Sequence, residues 1–171
     1  MAETFKLLNQ NGVKYPLLLC CREPEYEREK HHFGENPQWL EVHHVSGKDL
    51  EPLYARADLG LLVLEPNEYT HMAIGTKLFQ YLKYGLPVLS TDVETMKKLI
   101  EENEFGATAP YDAHLFADTV RNMLENDDRL AESRKRAITN MSEKHLWVHR
   151  VDQISQDLMA VNAGGKREKC E

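Results

Sequence analysis

The sequence predicts an α/β domain built on a parallel sheet with helices on both faces. Short apolar runs alternate along the chain with helical patterns, which is typical of right-handed β–α–β crossovers. The chain has 171 residues, of which 42% are hydrophobic, and this suffices for one buried core. The longest apolar run has only six residues (59–64), so a membrane-spanning segment is not expected.

Five apolar runs are predicted to be the strands of this sheet. Each is short, and most are rich in leucine and valine, as expected for strands buried inside a parallel sheet. The runs are residues 15–20, 40–45, 59–64, 87–90 and 107–110. Together they predict a Rossmann-like, doubly wound parallel sheet.

Helices are expected between these runs. Ser46 or Gly47 is predicted to open one helix, Thr91 or Asp92 a second, and Asp112 a third. A segment from residue 2 to 11 is also helix-like. A long closing helix is predicted at about residues 142–161, with apolar residues at heptad-like spacing, namely Trp147, Val151, Ile154, Leu158 and Val161.

Charge and cysteine content narrow the classes of function. The chain carries 21 Lys and Arg against 28 Asp and Glu, a net charge of −7, which argues against a domain that binds nucleic acid. Its three cysteines form neither a disulfide framework nor a C-x-x-C pair, which favours a reducing, cytoplasmic compartment. The sequence does not open with a basic and then apolar leader, so secretion is not expected.

The segment after the third predicted strand is the first candidate for a ligand site, because ligands of open parallel sheets bind beyond the carboxyl ends of the strands. A polar loop there leads into a helix that starts near Gly75. The backbone N–H groups of Gly75 and Thr76 would be free at its positive end, and Lys77 adds a cation in the first turn. This pattern indicates a bound anion such as a phosphate. The alternative is a solvated helix face with a stray lysine.

The same helix carries a recognisable pattern. Residues 77–88 read KLFQYLKYGLPV and end in STD at 90–92, which resembles the K-L-x-E-Y-L-x-x-G-x-P-V-x-x-T segment of GT-B glycosyltransferases. Residues 49–60 are similar to another segment of that family. The resemblance covers about residues 14–160 and corresponds to the C-terminal, sugar-nucleotide-binding domain of those enzymes.

The resemblance implies roles for individual residues. Lys77 would bind the donor diphosphate and is the expected catalytic residue, while Gln80 stands where the family has an acidic residue that binds the ribose. The second glutamate of many retaining members is replaced by Met72, so the stereochemical outcome stays open. Lysine followed three residues later by glutamine is similar to bacterial exopolysaccharide glucuronosyltransferases. The expected donor-binding residues are Val45, Ser46, Glu65, Tyr69, His71, Gly75, Thr76, Lys77 and Gln80.

The resemblance also implies the organisation and partners of the protein. Residues 1–163 would form the donor domain without the family's first strand, and residues 164–171 a polar tail. The expected reaction moves a sugar from a nucleoside-diphosphate sugar, UDP-sugar favoured, to a glycan or lipid-linked acceptor in polysaccharide biosynthesis. Neither a metal nor another cofactor is expected. The acceptor side would lie in an N-terminal domain outside this chain. Self-association of the chain and peripheral contact of the full enzyme with the inner face of a membrane are further expectations.

Two other interpretations of the fold remain open at this point. One is a receiver-like signalling module, although residues 22–25 poorly match the acidic pair that such modules need. The other is a nucleotide-sugar epimerase or phosphorylase relative. Among the remaining residues, His145 and His149 are spaced for zinc but lack the glutamate and cysteine partners of known motifs. Cys20 and Cys21 are expected to pack in the core.

Overall fold

Five parallel strands form the centre of the computed structural model, which describes residues 1–144, 151 and 154–159. They overlap the five runs that the sequence predicts. Hydrogen bonding divides them into two sheets with the strand orders β1–β2 and β3–β4–β5. The strands are β1 (Leu17–Cys20), β2 (Leu40–His43), β3 (Gly60–Leu62), β4 (Val88–Thr91) and β5 (Gly106–Ala109).

Helices fill the connections between the strands. Two short 3-10 turns, Lys30–His32 and Gly47–Leu50, lie beside them, and the second begins where Ser46 or Gly47 is predicted to open a helix. In the part of the chain that the structure describes, the α-helices are α1 (Ala2–Leu8), α2 (Glu23–Glu29), α3 (Glu51–Arg56), α4 (Glu68–Met72), α5 (Thr76–Lys83), α6 (Glu94–Asn103), α7 (Ala113–Leu124) and α8 (Asp127–Lys144).

Two hydrophobic cores lie on opposite faces of the β3–β4–β5 sheet. Because successive strand residues point to opposite faces, Val88 enters one core and Leu89 the other. Helices α1 and α7 cover the Leu89 side, where they also pack on β1, and α5, α6 and α8 cover the Val88 side. Helices on both faces of a parallel sheet confirm the predicted Rossmann-like, doubly wound arrangement.

The helix starts show which predicted caps are used. The Asp112 carboxylate accepts hydrogen bonds of 2.9 Å from the N–H groups of His114 and Leu115, so this predicted cap is confirmed. The prediction that Thr91 or Asp92 caps α6 is wrong, since α6 begins after Val93. Thr91 belongs to β4 instead.

The predicted start of a closing helix near Ser142 is wrong, although the described residues 151 and 154–159, within the predicted range, are helical. Ser142 lies inside α8, which starts at Asp127. The buried side of α8 carries the small or polar residues Ser133, Ala137 and Asn140, so the apolar pattern did not indicate a helix there. Val151, Ile154 and Leu158 are exposed. The rest of the predicted helix, including Trp147 and Val161, and the tail at 164–171 lie outside the described residues.

The β1–β2 half is anchored through the segment that follows α1. The Asn9 side-chain amide donates to the carbonyls of Phe5 and Tyr15, and its oxygen accepts from the N–H groups of Lys14 and Tyr15, all at 2.9 Å. Asn9 is itself buried. These bonds fix the turn that leads from α1 into β1.

Candidate nucleotide-sugar site

The carboxyl ends of the strands meet at one edge, where the sequence places the ligand. Cys20 at the end of β1 pairs with His43 at the end of β2, and Val45 and Ser46 follow two residues further on. Lys77 of α5 and Cys20 at the end of β1 line the same cavity, and the positive charge of Lys77 opposes the rise that desolvation causes in the pKa of the Cys20 thiol. The start of α5 therefore faces the carboxyl end of the β1–β2 half.

A well-ordered hydrogen-bond pattern holds the loop between β3 and α5. The Thr91 hydroxyl donates to the carbonyl of Leu64 at 2.7 Å and accepts from its N–H at 2.9 Å, which fixes the end of β3 to the end of β4. Asn67 then caps α4 by accepting from the N–H of Thr70. The Thr70 hydroxyl donates to the backbone carbonyl of Glu65 at 2.7 Å, while the Glu65 side chain remains exposed.

His71 connects this loop to α6. Its Nδ1 accepts a 3.1 Å hydrogen bond from the N–H of Glu94, and its carbonyl accepts a 2.6 Å bond from the Thr95 hydroxyl. His71 thus supplies the cap that α6 lacks from its own sequence. Its Nε2 is the ring nitrogen left for a ligand. Tyr69, two residues earlier, is 77% exposed.

Helix α5 presents its amino end to the same region. Gly75 is its N-cap, and the first helical hydrogen bond runs from the N–H of Leu78 to the Gly75 carbonyl. The N–H groups of Thr76 and Lys77 therefore point out of the positive end of the helix. Leu78 and Leu82 are fully buried, so the helix is held rigidly against the second core.

A cluster of tyrosines surrounds Gln80, one turn after Lys77. The Tyr54 hydroxyl of α3 donates to Gln80 Oε1 at 3.2 Å. The Tyr54 ring stacks on Tyr84 at a centroid distance of 4.7 Å and meets Tyr81 edge-on at 5.9 Å. Burial raises the pKa of Tyr81 to about 12, so the Tyr81 phenol stays neutral. With its oxygen engaged, Gln80 has its amide N–H groups to offer a ligand.

The structure thus gathers some predicted site residues more closely than others. Lys77 lines a cavity that also contacts Cys20 and Tyr54, and Tyr54 in turn bonds to Gln80. Tyr54 and Cys20 were not predicted as site residues. Tyr54 is half-buried, and Cys20, which the sequence predicts for the core, is exposed, so that prediction is wrong. The position of Cys20 at the last residue of a strand was the available signal.

The described residues also bear on metal binding and on insertion into a membrane. Among residues 1–144, 151 and 154–159, no three His, Cys, Asp or Glu side chains converge as a metal site would require. His145 and His149 lie outside the described residues. None of the helices described is both long and apolar enough to cross a membrane.

Comparisons with known proteins agree with the geometry. Sucrose-phosphate synthase from Thermosynechococcus elongatus superposes with a TM-score of 0.67 at 17% identity, over 95% of this chain and 42% of that one. WaaG, a glycosyltransferase involved in lipopolysaccharide biosynthesis, superposes with a TM-score of 0.59 at 18% identity, over 84% of this chain and 48% of its own. A search of curated proteins returns no match.

The two solved structures establish the fold, and this chain spans less than half the length of either. The family follows from the sequence itself, since the profile described as glycosyl transferase-like matches residues 16–156. That match includes all five strands and every residue of the candidate site. It favours the glycosyltransferase interpretation over the receiver-like one. The chain belongs to the glycosyl transferase-like family.

Proposed function

We propose that this chain is the donor-binding part of a glycosyltransferase that uses a nucleoside-diphosphate sugar, with UDP-sugar favoured. The acceptor would be a glycan or a lipid-linked saccharide in polysaccharide biosynthesis. One observation carries the proposal most strongly: Lys77 lies in the first turn of α5, whose amino end opens at the carboxyl edge of the parallel strands. An ammonium and free backbone N–H groups together form a site suited to a diphosphate.

In this proposal, the diphosphate lies against the N–H groups of Thr76 and Lys77. As the sugar departs, negative charge develops on the leaving nucleoside diphosphate. The helix end and the Lys77 ammonium would stabilise that charge, because both are already in place and need no reorganisation. Such stabilisation does not itself require a metal ion.

Gln80 is proposed to hold the ribose. Its oxygen accepts from Tyr54, so its amide nitrogen would donate to the ribose hydroxyl oxygens. A neutral amide makes weaker bonds to hydroxyls than a carboxylate would. We therefore expect a lower affinity than that of an otherwise equal site with glutamate. The Lys-x-x-Gln pair supports the proposed likeness to exopolysaccharide glucuronosyltransferases.

The acceptor side is proposed to lie in a further domain. Without it, water is not excluded and the acceptor is not positioned, and these effects can supply about 7–11 kcal/mol of a barrier. We expect the 171 residues to bind UDP with a dissociation constant of ~0.1–10 mM and to transfer no sugar. Multiple-turnover transfer by the purified chain would contradict this expectation.

The diphosphate role of Lys77 is tested by calorimetry with UDP and uridine. Lys77→Ala should weaken UDP binding by about 10- to 150-fold, equivalent to ~1.5–3 kcal/mol, and leave uridine binding nearly unchanged. Lys83→Ala is the matched control, because Lys83 has the same charge on the same helix but lies in its last turn.

Two results would contradict the assignment: equal UDP affinity in Lys77→Ala and the parent, or an equal loss of UDP affinity in Lys83→Ala.

The ribose role of Gln80 is tested in the same titrations with a 2′,3′-dideoxy analogue. The parent should bind the analogue more weakly than UDP, and Gln80→Glu should keep or improve UDP binding. Equal affinity of the parent for both ligands would remove Gln80 from the site.

A further inference from the structure

Helices α3 and α5 are joined by two hydrogen bonds between side chains, and a tyrosine donates each of them. The Tyr54 hydroxyl of α3 donates to Gln80 Oε1 of α5 at 3.2 Å. In the other direction, the hydroxyl of Tyr84, the C-cap of α5, donates to Glu51 Oε1 of α3 at 2.9 Å. The two tyrosine rings stack on each other at a centroid distance of 4.7 Å. These contacts fix the side of α3 that faces α5.

A third tyrosine ties this pair to the sheet. The Tyr81 ring meets the Tyr54 ring edge-on at 5.9 Å. The Tyr81 hydroxyl donates to the Leu61 carbonyl of β3 over 3.4 Å, and a Cβ added at Gly60 would lie only 2.5 Å from the Tyr81 ring. Because Gly60 has no side chain, Tyr81 can lie directly on the strand. Tyr54 therefore has a defined position relative to β3.

The Tyr54 hydroxyl acts as a hydrogen-bond donor in this arrangement. Desolvation, with smaller contributions from Cys20 and Tyr84, raises the pKa of Tyr54, so the phenol keeps its proton at neutral pH. The oxygen of the Gln80 amide accepts that proton's hydrogen bond. Since an amide carries its oxygen and its two N–H groups on opposite sides, the N–H groups of Gln80 are turned away from Tyr54. The exposed Gln80 thus presents donors on the helix face that it shares with Lys77.

We propose that Tyr54 is a positioning residue of the nucleotide site, which fixes the Gln80 amide so that its N–H groups donate to the ribose hydroxyl oxygens. The inference rests on the proposed function, in which Gln80 holds the ribose. It adds that the site reads those hydroxyls as hydrogen-bond acceptors, because the Gln80 oxygen is already occupied. In this role Tyr54 acts through Gln80 and not on the nucleotide directly.

A glutamine at this position depends on such a partner more than a glutamate would. The two oxygens of a carboxylate are equivalent, so either of them can accept from a ribose hydroxyl whichever way the group is turned. An amide lacks this symmetry, and an exposed glutamine turns about several side-chain bonds. Holding the amide before the ligand arrives removes part of the ordering entropy that binding would otherwise cost. Tyr54 supplies that restraint from 26 residues earlier in the chain.

The first test needs no nucleotide. In NMR relaxation measurements on the chain, the side-chain nitrogen of Gln80 should be restricted, with a heteronuclear NOE above that of the exposed Gln38. In Tyr54→Phe, which removes only the hydroxyl, the Gln80 value should fall to that of Gln38. Tyr84→Phe is the matched control, because it removes the hydroxyl of the stacked partner ring, which bonds to Glu51 instead of Gln80. It should leave Gln80 restricted.

The second test compares the affinities of these three proteins for UDP and for its 2′,3′-dideoxy analogue. The parent should prefer UDP, and Tyr54→Phe should reduce this preference at least about threefold. Its affinity for the analogue should change less than about twofold, because the analogue lacks the hydroxyls that Gln80 binds. Tyr84→Phe should keep the preference of the parent. A general loss of structure would instead weaken the binding of both ligands.

The donor character of Gln80 is tested with 2′-deoxy-2′-fluoro-UDP. Fluorine at C2′ can accept a hydrogen bond but cannot donate one. The parent should therefore bind this analogue within about threefold of UDP. Gln80→Glu should bind it at least about fivefold more weakly than UDP, because a carboxylate can only accept. A larger loss in the parent than in Gln80→Glu would overturn the proposed orientation of the amide.

Three further results would overturn the proposal and leave the proposed function standing. They are an unrestricted Gln80 side chain in the parent, an unchanged Gln80 NOE or UDP preference in Tyr54→Phe, and an equal effect of Tyr84→Phe. The last result would assign the effect to the ring stack and not to the Gln80 hydrogen bond. Equal affinity of the parent for UDP and the dideoxy analogue would instead contradict the ribose role of Gln80 itself, and this inference would fall with it.

Discussion

The strands β4 and β1 both have four residues, yet β1, which is the more apolar of the two, is the less buried. β4 has a hydrogen-bonded strand on each side, and all four of its residues are buried. β1 pairs only with β2, and its burial falls from the buried Leu17 to the exposed Cys20. One strand is the centre of a sheet, and the other is an edge.

The two halves of the molecule are held in place by different contacts. The β3–β4–β5 half lies between two cores and holds α5 rigidly through Leu78 and Leu82. The β1–β2 half relies on α1, α7 and the hydrogen bonds of Asn9. The candidate site lies where the two halves meet, since Lys77 in the first turn of α5 and Cys20 at the end of β1 line one cavity.

A substitution that separates two strands of the β3–β4–β5 half should have the largest effect on the free energy of unfolding. In Gly106→Ala, the new Cβ would lie 1.9 Å from the Val88 carbonyl oxygen, a contact that the backbone can relieve only by separating β5 from β4. We expect a loss of at least about 3 kcal/mol in the free energy of unfolding, measured by urea denaturation.

Gly75→Ala is the control for this substitution. A Cβ at Gly75 meets nothing within 4 Å, and its φ of −67° suits any residue. It should change stability by no more than about 0.5 kcal/mol. If both variants were equally stable, β5 would not be paired with β4 as the structure shows.

The same substitution in the two strands sharpens the comparison. Leu89 of β4 is fully buried, whereas Leu18 of β1 is half-buried and lines the cavity between β1 and β3. Leu89→Ala should cost about 2–5 kcal/mol because it leaves a cavity in a filled core. Leu18→Ala should cost about 1 kcal/mol, since its surroundings are already open. If urea denaturation showed that both variants lose the same free energy of unfolding, the cavity beside Leu18 would be closed in solution.

The smallest expected effect concerns the ion pair between Glu41 of β2 and Arg56 of α3. Arg56 of α3 donates to both carboxylate oxygens of Glu41 at 2.9 and 2.7 Å, and His43 lies 2.7 Å from one of them. With Arg56 as the main cause, these bonds lower the pKa of Glu41 from 4.5 to about 2. The group is exposed, so its effect is screened by salt.

The sign of the pH dependence follows from this lowered pKa. The folded state holds the charged carboxylate, so the contribution is complete above pH 4.5 and is lost as the pH falls towards 2. The parent should therefore lose slightly more stability than Glu41→Gln over that interval, as measured by thermal denaturation at a series of pH values. Identical pH dependence of the two proteins would show that the ion pair does not persist in solution.

The local pattern of the sequence predicted the strands well because each is a short apolar run between polar segments. It also predicted the start of α7, because Asp112 caps that helix by accepting from the N–H groups of His114 and Leu115, which are close to it in sequence. It failed for α6, whose cap is supplied by His71 from 23 residues earlier. It failed for α8 because Ser133, Ala137 and Asn140 lie on the packed face, where small and polar side chains give no apolar period.

The candidate site shows the same limit. Lys77 and Gln80 could be selected because they share one face of one helix and belong to a recognisable motif. Tyr54 could not, since it lies 26 residues before Gln80 and meets it only after α3 and α5 are packed. The predicted donor roles of Val45, Ser46, Glu65, Tyr69 and His71 stay predictions.

The sequence by itself determined which segments are strands, the parallel α/β class and the family, because these depend on local periodicity and on contiguous motifs. Only the tertiary structure decided that the strands divide into two sheets, that Cys20 lies near Lys77 and that His71 caps α6. Those features depend on which edges and helix ends come together in space. Interactions between residues far apart in sequence leave no local period to read, so packing alone reveals them.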